Sequence, residues 1–68
     1  MSLIPELFNK ALSSFQNGQF DVATTEITKL LDSAPKNADV LHLAALNEKA
    51  KLNYKDSEKY FRDSLKCS

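Results

Sequence analysis

Apolar residues return at three- and four-residue intervals along almost the whole chain, and this pattern predicts four helices. Leu7, Phe8, Ala11, Leu12 and Phe15 stand at i, i+1, i+4, i+5 and i+8, one face of an amphipathic helix. Pro5 suits the first turn of that helix, where its missing N–H breaks no helical bond. Asn17-Gly18 ends it, because Gly18 can take the left-handed conformation without a Cβ penalty. A second helix is predicted from near Asp21, an N-cap candidate, with Ala23, Ile27, Leu30 and Leu31 on its apolar face. Asp32-Ser33-Ala34-Pro35 stops it, since Pro35 restricts the residue before it and cannot extend the backbone ladder. The third helix begins around Asn37 to Asp39 and carries Val40, Leu41, Leu43, Ala44, Ala45 and Leu46, the most apolar stretch in the chain. Leu52-Asn53-Tyr54 is a weaker break, with the left-handed turn expected at Asn53, which visits that region more cheaply than Leu52. The fourth helix is expected from about Asp56, with Tyr60, Phe61, Ser64 and Leu65 on one face. No sustained alternation marks a strand. The prediction is an all-α fold of four antiparallel helices joined by short turns.

Sliding the sequence against itself by 34 residues sharpens this. Leu7 falls on Leu41, Ala11 on Ala45, Leu12 on Leu46, Phe20 on Tyr54, Ala23 on Ser57, Ile27 on Phe61 and Leu31 on Leu65. Identity between the two halves as wholes is low, yet size and polarity match at these positions, where a core belongs. Small residues coincide at two positions, and an aromatic follows both inter-helix turns. The chain length of 68 is twice that period.

On these residues the chain resembles the tetratricopeptide repeat family. That family pairs antiparallel helices with a small residue in each helix, an aromatic after the turn and a proline at the end of the unit. The first unit carries the pattern as Leu7, Ala11, Gly18, Phe20, Ala23, Ile27 and Pro35, and the second as Leu41, Ala45, Tyr54, Ser57, Phe61 and Leu65. The chain departs from it where Leu7 and Leu41 replace a bulky aromatic, Ala11 and Ala45 replace a glycine, Leu52 stands at the place of Gly18, and the second unit lacks its closing proline. The resemblance implies two tandem helix-turn-helix repeats, residues 4–37 and 38–68 of a single domain spanning 1–68, as a fragment of a right-handed α-α superhelix. Met1-Ser2-Leu3 then read as a short leader, and Ser68 falls just short of the expected closing turn.

The family's proteins are non-catalytic protein-binding scaffolds, with the first helix of each unit lining a concave face. That face would hold Phe8, Leu12, Phe15, His42, Leu46 and Lys49, suited to an apolar or amphipathic segment of a protein or peptide. Leu12 and Leu46 read first as core between the units, and Phe8 and Phe15 as more open. His42 reads as a boundary residue. One branch of the family grips acidic chaperone tails through Lys and Asn. Here the matching positions are Phe8, Leu12, His42 and Leu46, so that function is not expected.

Charge and composition narrow the function further. Nine Lys and Arg balance nine Asp and Glu, which argues against nucleic acid, where a cationic surplus must displace counterions. No apolar run approaches the ~18 residues of a membrane span, and the N-terminus has no signal-peptide pattern. A cytoplasmic protein is the expectation. One cysteine, Cys67, and one histidine, His42, leave no internal disulfide and no four-ligand zinc site, and no cofactor is expected. Catalysis has little support: His42 is remote in sequence from Cys67, and a single glycine cannot build a phosphate loop. Glu26 and Asp32 read as isolated surface carboxylates.

Stacked repeats usually need about three units with polar caps. The last helix here carries Tyr60, Phe61 and Leu65, not all of which the preceding helix can cover. Self-association through that face, most simply as a homodimer, is therefore expected. The alternative is an N-terminal auxiliary repeat domain of a larger enzyme or assembly factor.

Overall fold

The computed structural model describes residues 4–67. They form four helices and, among the described residues, no strand: α1 (Ile4–Gln16), α2 (Phe20–Ser33), α3 (Ala38–Ala50) and α4 (Tyr54–Cys67). The leader Met1-Ser2-Leu3 and the terminal Ser68 lie outside the described residues.

Each boundary has a local cause. Pro5 sits in the first turn of α1. Asn37 caps α3, its Oδ1 accepting from the N–H groups of Asp39 (2.9 Å) and Val40 (3.2 Å). Two starts differ from the expected ones. Helix α2 begins at Phe20 after Gln19, whose side chain makes no capping bond, so Asp21 lies inside the first turn. There its carboxylate meets the positive end of the helix dipole without acting as the cap. Helix α4 begins at Tyr54, two residues before Asp56.

Both hairpin turns close in the same way. The Gln19 N–H donates to Ser14 O (2.9 Å) and the Gly18 N–H to Phe15 O (3.0 Å). In the second hairpin the Asn53 N–H donates to Glu48 O (2.9 Å) and the Leu52 N–H to Lys49 O (3.0 Å). These are two Schellman turns, each requiring one left-handed residue. Gly18 takes it at φ 77° and Leu52 at φ 68°. The left-handed residue of the second hairpin is thus Leu52, not Asn53. The turn geometry dictates which position must be left-handed, and overrides the preference of the neighbouring asparagine.

The 34-residue spacing is present in the backbone. Shifting the bounds of α1 and α2 by that amount reproduces the bounds of α3 and α4, and both turn bonds shift onto their counterparts. Contacts run mainly between consecutive helices, with α1 also touching α3. Among the described residues α4 makes no Cα-level approach to α1 or α2. The Cα trace measures 34 × 28 × 15 Å. This is an open array in which α2 and α3 each have a helix on both sides, not a closed four-helix bundle.

The core follows from that order. Ala11, Ala23, Ile27, Leu30, Val40, Leu43 and Ala44 form one buried cluster, flanked by Ile4, Leu7, Phe8, Leu12, Phe15, Leu31 and Tyr60. Helix α3 is the most enclosed, with Val40, Leu43, Ala44 and Asn47 as well as Leu41 and Ala45 buried. A helix buried on two sides must be apolar nearly all round. The small residues sit where the helices of each hairpin meet. Ala11 and Ala23 are wholly buried, and in the second hairpin the Ser57 hydroxyl reaches across to Ala45 O at 2.8 Å. The Ser64 hydroxyl likewise donates to Ala38 O (3.1 Å). Side chains this short bond a neighbouring backbone only where two helices approach closely.

Candidate functional site

The six residues expected on a binding face do not share one environment. Phe8, Leu12 and Phe15 are half-buried against the core cluster, and the Phe15 ring leans on Phe20 with centroids 5.7 Å apart. Leu46 is half-buried, while His42 and Lys49 are exposed. Phe8 also lines a depression of about 230 Å³ with Ile4, Pro5, Asn9, Asn37, Asp39 and Val40. This depression lies between the N-terminal ends of α1 and α3, the first helix of each hairpin. Its floor is apolar and its rim is amide and carboxylate.

His42 does something the sequence did not suggest. Its ring meets Phe61 edge-on, with centroids 5.5 Å apart. A residue expected on the binding face and one expected on the self-association face are therefore in contact across the α3–α4 hairpin. The other two residues of the latter group diverge. Tyr60 is half-buried and packs against the core. Burial, followed by the nearby carboxylates of Glu48, Asp56 and Asp63, raises its phenol above the ordinary value of 10.0. Leu65 is 75% exposed.

Two polar groups escaped the sequence reading. Glu26 was expected at the surface and is instead buried at 7% exposure. The Ser14 hydroxyl donates to its Oε1 at 2.6 Å, and Lys10 Nζ stands 3.9 Å from its Oε2. The cause is register: Glu26 immediately precedes Ile27, on the side of α2 turned towards α1. Asn47, 1% exposed, is the largest polar side chain fully enclosed. Its Nδ2 donates to Thr24 Oγ1 (2.8 Å) and Phe20 O (3.2 Å). Lys51 Nζ donates to the same Thr24 oxygen (3.0 Å) and lies near Glu48 (3.7 Å) and Asp21 (3.9 Å). This network ties α2 to α3, the two helices of different hairpins. A run of Asn, Glu and Lys late in an apolar helix was the one signal for it.

Among the described residues no cluster of three His, Cys, Asp or Glu side chains could hold a metal ion. Cys67 is exposed. Among the described residues no helix is long and apolar enough to cross a membrane. The chain matches no protein-family model, no curated protein and no solved structure. What the coordinates define is therefore a class: an all-α domain of two like helical hairpins stacked in an open array.

Proposed function

We propose that this domain is a protein-interaction module of two tetratricopeptide-like repeats, without catalysis of its own, that holds an apolar or amphipathic segment of a protein in the depression between α1 and α3. The observation that carries the reading is the repetition itself. Helix bounds and turn bonds recur after 34 residues, the period of that family, and an open array leaves the first helix of each hairpin accessible along one side. An apolar floor at Phe8 and Val40 with polar groups at Asn9, Asn37 and Asp39 suits a segment with one greasy face and one wet one.

The test is a titration of isotope-labelled protein with synthetic amphipathic peptides carrying Leu and Phe at helical spacing, followed by amide NMR. Saturable shifts at Ile4, Phe8, Asn37 and Val40, abolished by Phe8→Glu in a variant that keeps its helical circular dichroism, are expected. Shifts confined to other surfaces, or none with any peptide of the set, would refute the assignment.

A further inference from the structure

The two ends of the array differ in kind, and the internal repeat says what each end would meet. Helix α3 packs on α2 through Val40, Leu43, Ala44 and Asn47, all buried. Their counterparts one period earlier, on α1, are Glu6, Asn9, Lys10 and Ser13, all polar and all exposed. The α1 face is a cap. At the other end, the α2 residues around the α2–α3 contact include Thr24, Ile27, Thr28 and Leu31, with Phe20 accepting from Asn47. Their counterparts on α4 are Glu58, Phe61, Arg62, Leu65 and Tyr54. The α4 face keeps the apolar members: Tyr54 is 61% and Leu65 75% exposed, with Phe61 half-buried between them.

We infer that the outer face of α4 is a second docking surface, and that its occupant is an amphipathic helix of another protein shaped like α3. The α2–α3 contact supplies the template. Such a helix carries aliphatic and small residues in the spacing of Val40, Leu43 and Ala44, followed by an amide and a lysine in the places of Asn47 and Lys51. The polar end is specified by charge. Thr24 accepts hydrogen bonds from both Asn47 and Lys51, and its counterpart on α4 is Glu58, a carboxylate in an exposed pair with Arg62 at 3.9 Å. A charged acceptor there favours a basic donor more strongly than the threonine does. A second copy stacked head to tail is disfavoured, because its α1 would bring Glu6 and Lys10 against Phe61 and Leu65. This surface is separate from the α1–α3 depression, so either assignment can fail alone.

The probe is a synthetic peptide of residues 37–51, with Leu41→Lys for solubility and a hydrocarbon staple joining positions 42 and 46, since so short a helix is otherwise mostly unfolded. Titrated into the labelled 68-residue protein, it is expected to shift the amides of Tyr54, Glu58, Phe61 and Leu65. Leu65→Glu should weaken binding by roughly tenfold or more, the effect of losing most of one leucine's burial. Glu58→Lys should weaken it too, while Phe8→Glu should leave it unchanged. Both α4 changes lie at exposed positions, and circular dichroism checks that the variants fold. Absence of binding, binding indifferent to Leu65→Glu, or binding lost on Phe8→Glu would overturn the proposal. So would sedimentation showing a dimer of the unliganded chain that Leu65→Glu dissociates, because the occupant would then be a second copy.

Discussion

Gly18 and Leu52 occupy the same place in two equivalent turns, so adding a side chain at one and removing it at the other isolates the cost of a left-handed backbone. At Gly18, φ is 77°, and a Cβ built there would meet nothing within 4 Å. Gly18→Ala therefore adds no clash and no useful contact, and what remains is conformational. Placing an L-residue in the left-handed region costs roughly 1–2 kcal/mol. Alanine also narrows the unfolded ensemble, returning about 0.4–1 kcal/mol. The net loss is about 1 kcal/mol, which for a domain of this size lowers the melting temperature by about 4–8 °C. At Leu52 the terms nearly cancel. Leu52→Gly relieves the same strain but widens the unfolded ensemble, and it forfeits the buried part of a side chain that is 68% exposed, about 0.5–1 kcal/mol. That variant should stay within about 1 kcal/mol of the parent. Thermal and urea melts followed by far-ultraviolet circular dichroism measure both. An unchanged or raised melting temperature for Gly18→Ala would refute the argument, and with it the equivalence of the two turns.

Three further outcomes follow from the buried polar groups. Asn47→Ala removes two donors from the α2–α3 interface and should cost about 2 kcal/mol in a urea melt; a loss under half of that would mean Thr24 and Lys51 hold the interface without it. Glu26→Gln keeps an acceptor for Ser14 and removes a buried charge whose cation, Lys10, is largely in water, so stability should be unchanged or improved; a loss above about 2 kcal/mol would show that the Lys10 pair matters. The phenol of Tyr60 is raised in the folded chain, so folding favours its protonated form. That contribution is complete below the unfolded value near 10 and is lost as the pH climbs through the folded one. Urea midpoints between pH 8 and 11 should fall less steeply for Tyr60→Phe than for the parent, and parallel curves would exclude the effect.

Much of the fold was legible because helices are written in local code. Periodic apolar residues, Pro5, Gly18, Pro35 and Asn37 each act within a few residues of themselves, and the helices formed where they pointed. The boundaries at Phe20 and Tyr54 were less legible. Both helices start before the expected aspartate, and the Schellman turns before them dictate where the chain re-enters helix. Leu52 shows the same hierarchy, since a preference of about 1 kcal/mol at Asn53 cannot outweigh a turn held by two backbone bonds and the packing of two helices. For the candidate surfaces the sequence could say which residues share a helix face, but not which neighbour that face meets. Hence His42 and Phe61, assigned to different surfaces, touch; Tyr60 turns inward; and Glu26 is buried.

The amino-acid order by itself determined that this is an all-α chain, that its second half repeats its first after 34 residues, and that small residues stand where paired helices meet. These follow from short-range sterics and periodicity, which need no knowledge of distant contacts. Only the tertiary structure decided that the helices lie in an open array, that α3 is enclosed from both sides, and that Asn47, Thr24 and Lys51 converge between hairpins. It also separated the two ends, the outer face of α1 wholly polar and that of α4 mixed, with Tyr54 and Leu65 exposed beside the Glu58–Arg62 pair. The same helical face is core or surface according to whether another helix lies on it, and that is a property of the packing and not of the segment.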